Sequence, residues 1–326
     1  ARAALGRSTV ALAVVALVLP VADIAPKYAP PPALTAADLP AGMRPVRAQI
    51  GAGMELVGYT AEAEPRRPGE AQGVTLYWRA IQPMSMDYTL ALVLFGRGAQ
   101  GVGQIDTWPG AGRLPTSQCR LGAYNADAYA QPVAADAVAP TILKLGVAAW
   151  ANDPADRLPI RGPDGALLDA ITLPAGRLAP ASAPAEAPAT RDGSRFEHDL
   201  TLLGYTARVD EAGVLALTLF WRAAGPLPAD YTVFLHFLDQ AGREALPPAD
   251  APPLGGDWPT SAWLPGETVA DPRLIALPRD LPPGCCDLRL GWYDASSGAR
   301  LEAYQPDGAR WPDDAVILND VLNPRQ

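Results

Sequence analysis

Trp258 and Trp263 bracket a Pro-Thr-Ser turn at 259–261. A flat indole face can stack on the apolar face of a sugar ring. Asp257 and Thr260, beside them, carry groups that hydrogen-bond sugar hydroxyls. These four residues form a candidate glycan-binding site. The competing reading is that the two indoles plug the edge of a β-sandwich. The first half of the chain has Leu114 and Cys119 at the matching places, with Trp108 nearby.

Carboxylates come next, because glycoside hydrolysis needs a facing pair. Asp106 and Asp250 occupy matching places before two Pro-Thr-Ser turns. Their presence in both halves points to a turn or cap role. Asp239, Asp257, Glu267 and Asp271 fall in loops of the second half. Loop carboxylates in sandwich modules also hold calcium, which is a second reading of that group. The two histidines are His198, at a strand start, and His236, inside YTVFLHFLD. Neither has the Cys or His neighbours of a metal site. Alternation places His236 with Phe234 and Leu238, as a satisfied core histidine.

Cys119, Cys285 and Cys286 show no C-x-x-C spacing. They read as small buried apolar side chains in strands. A single disulfide stays open in an oxidising compartment. H-E-x-x-H, G-x-S-x-G, Walker and dinucleotide-binding patterns are absent. The expectation is therefore no catalytic constellation, no metal centre and no cofactor.

These residues must be positioned by elements that tolerate much proline. The 326 residues include 36 Pro and 30 Gly. Proline lacks the N–H and breaks helix interiors and central strands. Many loops and short strands follow, which favours an all-β fold. The net charge is −9 and the pI about 4.8. That field repels a phosphate backbone, so no nucleic-acid partner is expected.

Arg2 and Arg7 precede an apolar run, Val10 to Ala22, interrupted by Pro20. A transmembrane helix, a secretory signal and a buried helix all fit parts of it. As a transmembrane anchor it would keep its arginine side in the cytoplasm and place the rest outside. The stretch IAPKYAPPPAL, from Ile24 to Leu34, then reads as an extended spacer.

An internal repeat organises the remainder. LVGYT at 56–60 matches LLGYT at 202–206, and VTLYWRA at 74–80 matches LTLFWRA at 217–223. Asp-Tyr-Thr recurs at 87–89 and 230–232, and Pro-Thr-Ser at 115–117 and 259–261. Trp78 to Trp221 and Tyr88 to Tyr231 are both 143 residues apart, and Thr116 to Thr260 is 144. Tyr59 to Tyr205 is 146, which puts an insertion in the first copy at Pro65–Glu70. KLGVAAW at 144–150 parallels LRLGWY at 288–293, and Pro-Asp-Gly recurs at 163–165 and 306–308. Between the copies, APASAPAEAPA at 179–189 is an Ala/Pro linker. The runs at 74–79, 89–95, 215–222 and 232–238 are strand-like. Trp78 and Trp221 sit in mid-strand and read as core.

DYTVFLHFLDQAG, PTSAWLPGE and LRLGWYDASSG follow in that order in the second copy. This order resembles a module C-terminal to multi-spanning membrane glycosyltransferases of the mannosyltransferase-like class, found mostly in Chloroflexi-type bacteria. IAPKYAPP after an apolar run looks like the end of the last membrane helix of such enzymes. Two departures stand out. Cys286 replaces a usual aromatic, and the first copy has Cys119 for Trp263 and lacks the Pro-Gly-Glu turn. The resemblance implies lipid-linked sugar donors and catalytic acids in early membrane loops, none of which lie in this sequence.

The expected architecture is all-β: two tandem β-sandwich domains, jelly-roll or immunoglobulin-like, after an N-terminal hydrophobic helix. The segments are a hydrophobic stretch at 1–25, a spacer at 26–48, sandwich one at 49–178, a linker at 179–195 and sandwich two at 196–326. The expected function is a non-catalytic extracytoplasmic accessory region of a membrane glycosyltransferase, bound to the membrane by its N-terminal segment and positioning glycan. A stand-alone anchored surface protein and a carbohydrate-binding module are the alternatives.

Overall fold

A computed structural model describes residues 29–182, 186–239, 241–279, 281, 285–319 and 321–322. The hydrophobic stretch read at 1–25 lies outside them. Among the described residues no helix is long and apolar enough to cross a membrane. Helical pieces are 3₁₀ turns of three or four residues. The chain is all-β, as its proline content and alternation predicted.

Backbone contacts divide the chain into two units. The first comprises the described residues up to Ala137 together with Leu143–Leu178. The second comprises Val138–Ile142 and the described residues from Ala179 onward.

The first unit contains β1 (Arg44–Ile50), β2 (Met54–Ala61), β3 (Ala71–Ala80), β4 (Thr89–Phe95) and β5 (Gly101–Thr107). It continues with β6 (Tyr124–Pro132), β7 (Thr141–Trp150, whose first two residues count with the second unit), β8 (Ile160–Arg161), β9 (Leu167–Leu168) and β10 (Ile171–Leu178). One sheet runs β6-β3-β2-β1-β8-β9, and the other β10-β7-β4-β5. β1 begins inside the stretch read as a spacer; its Ala48 and Ile50 are buried. On β3, Val74, Leu76, Trp78 and Ala80 point inward, against Leu90, Leu92 and Leu94 of β4 as the opposing buried row. This is the period-two pattern of a strand with one buried face.

The second unit contains β11 (Thr190–Arg191), β12 (Arg195–Phe196), β13 (Leu200–Val209), β14 (Val214–Ala223) and β15 (Tyr231–Leu238). β16 (Thr268–Ala276), β17 (Asp287–Asp294), β18 (Ala303–Tyr304) and β19 (Val316–Leu318) complete it. One sheet runs β16-β14-β13-β12-β18, with β11 also on β13; the other runs β15-β17-β19. The core lies between them. Leu215, Leu217, Leu219 and Trp221 of β14 join Val233, Leu235, Phe237, Leu288, Leu290 and Trp292 in one buried cluster.

The repeat survives in register. Leu76 pairs with Asp127, and Leu219 with Asp271; Trp78 pairs with Asn125, and Trp221 with Val269. The glycine of each Leu-x-Gly-Tyr-Thr motif has a reason. A bulge falls at Gly58 on β2 and at Gly204 on β13. A Cβ on Gly58 would lie 2.6 Å from the Arg44 carbonyl, and one on Gly204 would strike the Thr190 carbonyl. Both glycines let a neighbouring backbone approach closely.

Trp221 is fully buried and meets Trp292 at 4.7 Å and Phe196 at 5.9 Å, both edge to face. Replacing it by alanine removes a large inter-sheet contact. Trp221→Ala is expected to destabilise the second unit by about 3–5 kcal/mol. Urea unfolding checks this; an unchanged midpoint would contradict the packing.

Candidate functional site

The four residues read as a glycan site are mostly internal. Trp258 is completely buried, and Trp263 keeps 3% of its surface. The Trp263 indole N–H donates to the Trp258 carbonyl at 3.1 Å. Its ring meets Trp292 at 6.0 Å, edge to face. Neither indole has a free face for a sugar, so stacking on Trp258 and Trp263 is corrected to core packing. The competing reading of the sequence, that the two indoles plug the sandwich edge, is the one the burial supports. The end of the sandwich needed large apolar side chains, and the loop supplies them.

Thr260 is also fully buried. Its hydroxyl donates to the Ala229 carbonyl at 2.7 Å and accepts the Tyr231 N–H at 2.9 Å. Asp257 is half-buried, and its carbonyl accepts the Ile142 N–H at 2.9 Å.

The first unit repeats the threonine arrangement. Thr116 donates to the Met86 carbonyl at 2.8 Å and accepts the Tyr88 N–H at 2.9 Å. The preceding aspartates add a second tie. Asp87 accepts the Ser117 N–H at 2.9 Å, and Asp230 the Ser261 N–H at 3.0 Å. The two recurring tripeptides are thus halves of one device. Asp-Tyr-Thr at a strand start grips Pro-Thr-Ser in a distant loop. The sequence displayed both motifs but not that they touch.

A second duplicated residue escaped the sequence reading. Asp127 on β6 and Asp271 on β16 are 144 residues apart, each preceded by alanine, and each is buried on the inner face. Asp271 accepts the Leu254 N–H at 2.9 Å and pairs with Arg273 at 2.7 Å. Arg273 also donates to the Ala251 carbonyl at 2.9 Å. Asp271 is therefore a buried strand residue and not one of a cluster of loop ligands. Asp127 accepts the Tyr129 hydroxyl at 3.1 Å, Tyr129 standing where Arg273 stands. Burial raises the Asp127 carboxyl above its usual range, while the Gly110 N–H, Tyr129 and Arg113 oppose that rise. Gly110 and Leu254 each open a run of three left-handed residues, Gly110–Gly112 and Leu254–Gly256. Such a run is unfavourable for L-residues. The buried aspartate supports its first N–H.

The other carboxylates are mostly local. Asp210, Asp239 and Asp294 each accept the N–H two residues on, at 2.8–3.0 Å, as turn formers. Glu267 accepts the Leu264 N–H at 2.9 Å. Asp106 is exposed on β5, where Gln104 donates to it at 2.7 Å. Asp250 accepts the Leu235 N–H at 3.1 Å and lies 3.3 Å from His236 Nε2. Among the described residues, no three His, Cys, Asp or Glu side chains gather as a metal site.

His236 is not a core residue. Val233, Leu235 and Phe237 point into the core, which leaves Phe234 and His236 on the outer face. The run is almost wholly apolar, so its alternation did not reveal which face was inside. His198 has a left-handed backbone and stacks on Tyr231 at 5.8 Å. Cys285 and Cys286, read first as separate small apolar residues, form a disulfide. Cys119 is free, and burial pushes its thiol up to about 11, with Asp127 and Asp87 adding to the rise. At neutral pH it is a protonated thiol, a poor nucleophile.

No protein-family profile matches the chain, and no curated protein matches it in sequence.

Two outcomes test these ties. Thr260→Val keeps the shape but strands the Tyr231 N–H and the Ala229 carbonyl. It is expected to destabilise the second unit by roughly 1–3 kcal/mol; unchanged urea unfolding would contradict the tie. For Asp127 the folded carboxyl titrates above its ordinary 3.8. Its favourable contribution is then complete below that pH and lost as pH rises through the folded value. Relative to Asp127→Asn, the wild-type first unit is expected to lose stability as pH goes from about 4 to 7. A flat difference across urea titrations in that range would contradict the direction.

Proposed function

We propose that this chain is the non-catalytic extracytoplasmic accessory region of a membrane glycosyltransferase, holding two sandwiches where they can position a glycan acceptor. One observation carries the non-catalytic part. Three buried or strand-start polar pairs kept in both copies, Asp87/Asp230, Thr116/Thr260 and Asp127/Asp271, are engaged with backbone or side chains of their own unit. Duplication has preserved a frame.

The proline segment supports the positional part of the reading. Leu34 pairs with Tyr124, N–H to carbonyl at 2.7 Å one way and 3.1 Å the other. Pro31 packs over Gly110, where a Cβ would lie 2.9 Å from its Cδ. The end of the spacer is therefore fastened to the edge of the first sheet. A chain segment fixed to a domain transmits orientation better than a free coil. The order of motifs in the second copy supports the glycosyltransferase association.

Topology is the direct test. Ser297 is exposed in a turn that Asp294 holds. Ser297→Cys, expressed with its natural upstream sequence in intact cells, is expected to react with a membrane-impermeant maleimide above the unsubstituted background. Labelling that appears only after lysis would overturn the extracytoplasmic placement.

A further inference from the structure

The two units differ most usefully on an outer sheet face. A groove of about 420 Å³ opens over β2, β3 and β6 of the first unit. Its volume falls within the roughly 300–1,000 Å³ of small-ligand clefts. Thr60, Glu62, Gly73, Thr75, Ala128 and Ala130 line it. The register makes this a continuous surface: Thr60 pairs with Thr75, Thr75 with Ala128, and Gly73 with Ala130. Val74 and Leu76, between them, point into the core.

The groove depends on Gly73. The Glu62 N–H donates to the Gly73 carbonyl at 3.0 Å, and the Glu62 side chain then folds over the glycine. A Cβ on Gly73 would overlap the Glu62 carboxyl group. Arg66 pairs with the same carboxylate from the rim. A negative acceptor is thus held across an otherwise flat floor of Cα and methyl groups.

The second unit carries larger side chains on the equivalent face. Its strand register puts Arg208 at the place of Glu62, Ala216 at Gly73, Pro272 at Ala128 and Leu274 at Ala130. Leu274 stands out from the sheet with 79% of its surface exposed. The frame is shared, so the fold alone does not require this opening.

We infer that the groove binds a short neutral oligosaccharide. Glu62 accepts hydrogen bonds from neighbouring ring hydroxyls, because a carboxylate offers several lone pairs and no donor. Thr60 and Thr75 supply hydroxyls that donate or accept. Ala128 and Ala130 give an apolar patch beside the Glu62 carboxylate, on which a sugar's C–H face can rest. An anionic ligand would find no basic residue in the groove's lining, the rim Arg66 being paired with Glu62, and a chain of net charge −9. This site rests on the glycan-positioning reading above, but it moves glycan contact to the first unit and away from Trp258 and Trp263. The groove is open, so binding is weak and fast.

The test uses the chain with maltohexaose, cellohexaose and an α-1,6-linked mannohexaose as probes, read by saturation-transfer NMR and titration. The wild type is expected to bind at least one. Ala130→Leu borrows the residue that the second unit carries at the same place, and Glu62→Gln keeps the shape while removing the charge and its ion pair with Arg66. Each is expected to weaken that binding at least tenfold while thermal unfolding stays within a degree or two of wild type. No binding of any probe by the wild type would overturn the site, as would binding that both folded variants retain. Should one variant misfold, the other decides alone. The maleimide result is independent: extracytoplasmic labelling without probe binding removes the groove and leaves the accessory reading standing. Probe binding without labelling does the reverse.

Discussion

Each sandwich is closed at one end by a single buried threonine hydroxyl. In the second unit Thr260 both donates and accepts, to the residues on either side of Asp230. A buried hydroxyl with both functions used is stable, whereas either partner left alone is costly. The tie fixes a loop about thirty residues away in sequence onto the start of β15. The loop so fixed carries Trp258 and Trp263, both buried. Trp263 then abuts Trp292, and Trp292 abuts Trp221 across the sheets. The aromatic column and the hydroxyl tie thus share one loop.

The first unit keeps the hydroxyl and discards the column. Strand register and repeat offset put Leu114, Cys119 and Ala149 where the second unit has Trp258, Trp263 and Trp292. Three indoles are lost from one end of the core. Met54 and Met84, buried there, stand where the other unit has Leu200 and Leu227. Methionine is flexible enough to fill irregular space left by flat rings. A narrow gap persists among Met54, Trp78, Met84, Leu114 and Cys119. The buried aspartates diverge in the same way. Asp271 has a guanidinium partner, while Asp127 has the Tyr129 hydroxyl. An ion pair and a neutral partner support the same left-handed turn. The geometry is therefore the constrained quantity, and the chemistry around it is free to vary.

Legibility followed from this division. The strands at 74–80 and 217–223, the all-β class and the repeat could be read because the same side chains recur at a nearly constant offset with a period of two. The inward tryptophans Trp78 and Trp221 were legible for the same reason. Trp258 and Trp263 were not, because loop tryptophans carry no periodicity that tells inside from outside. His236 failed because Thr232–Leu238 is apolar on both faces. Asp127 and Asp271 were hidden by their neighbours: NADAYAQ and VADPRLI share only the Ala-Asp pair. The boundary read at 48 cuts through β1, whose two buried residues, Ala48 and Ile50, fall on either side of it.

The ties between loop and strand leave little room for change, since each is fixed by a two-sided hydrogen bond, and the inner faces change only by exchanging one buried side chain for another. Outer faces have no such constraint, and there the copies have separated. In the second unit Phe234 lies beneath the Arg300 guanidinium at 4.4 Å, with His236 and Asp250 alongside. In the first unit the matching strand β4 carries Ala91 and Val93 on its outer side. The sheet over β2, β3 and β6 differs again, open around Gly73 in one copy and built up by Pro272 and Leu274 in the other. A duplicated frame with diverged outer faces gives two surfaces that can be tuned separately while their cores fold by one pattern. Whatever contacts distinguish the two units must be made there, because the interior of each is committed to holding its own sheets together.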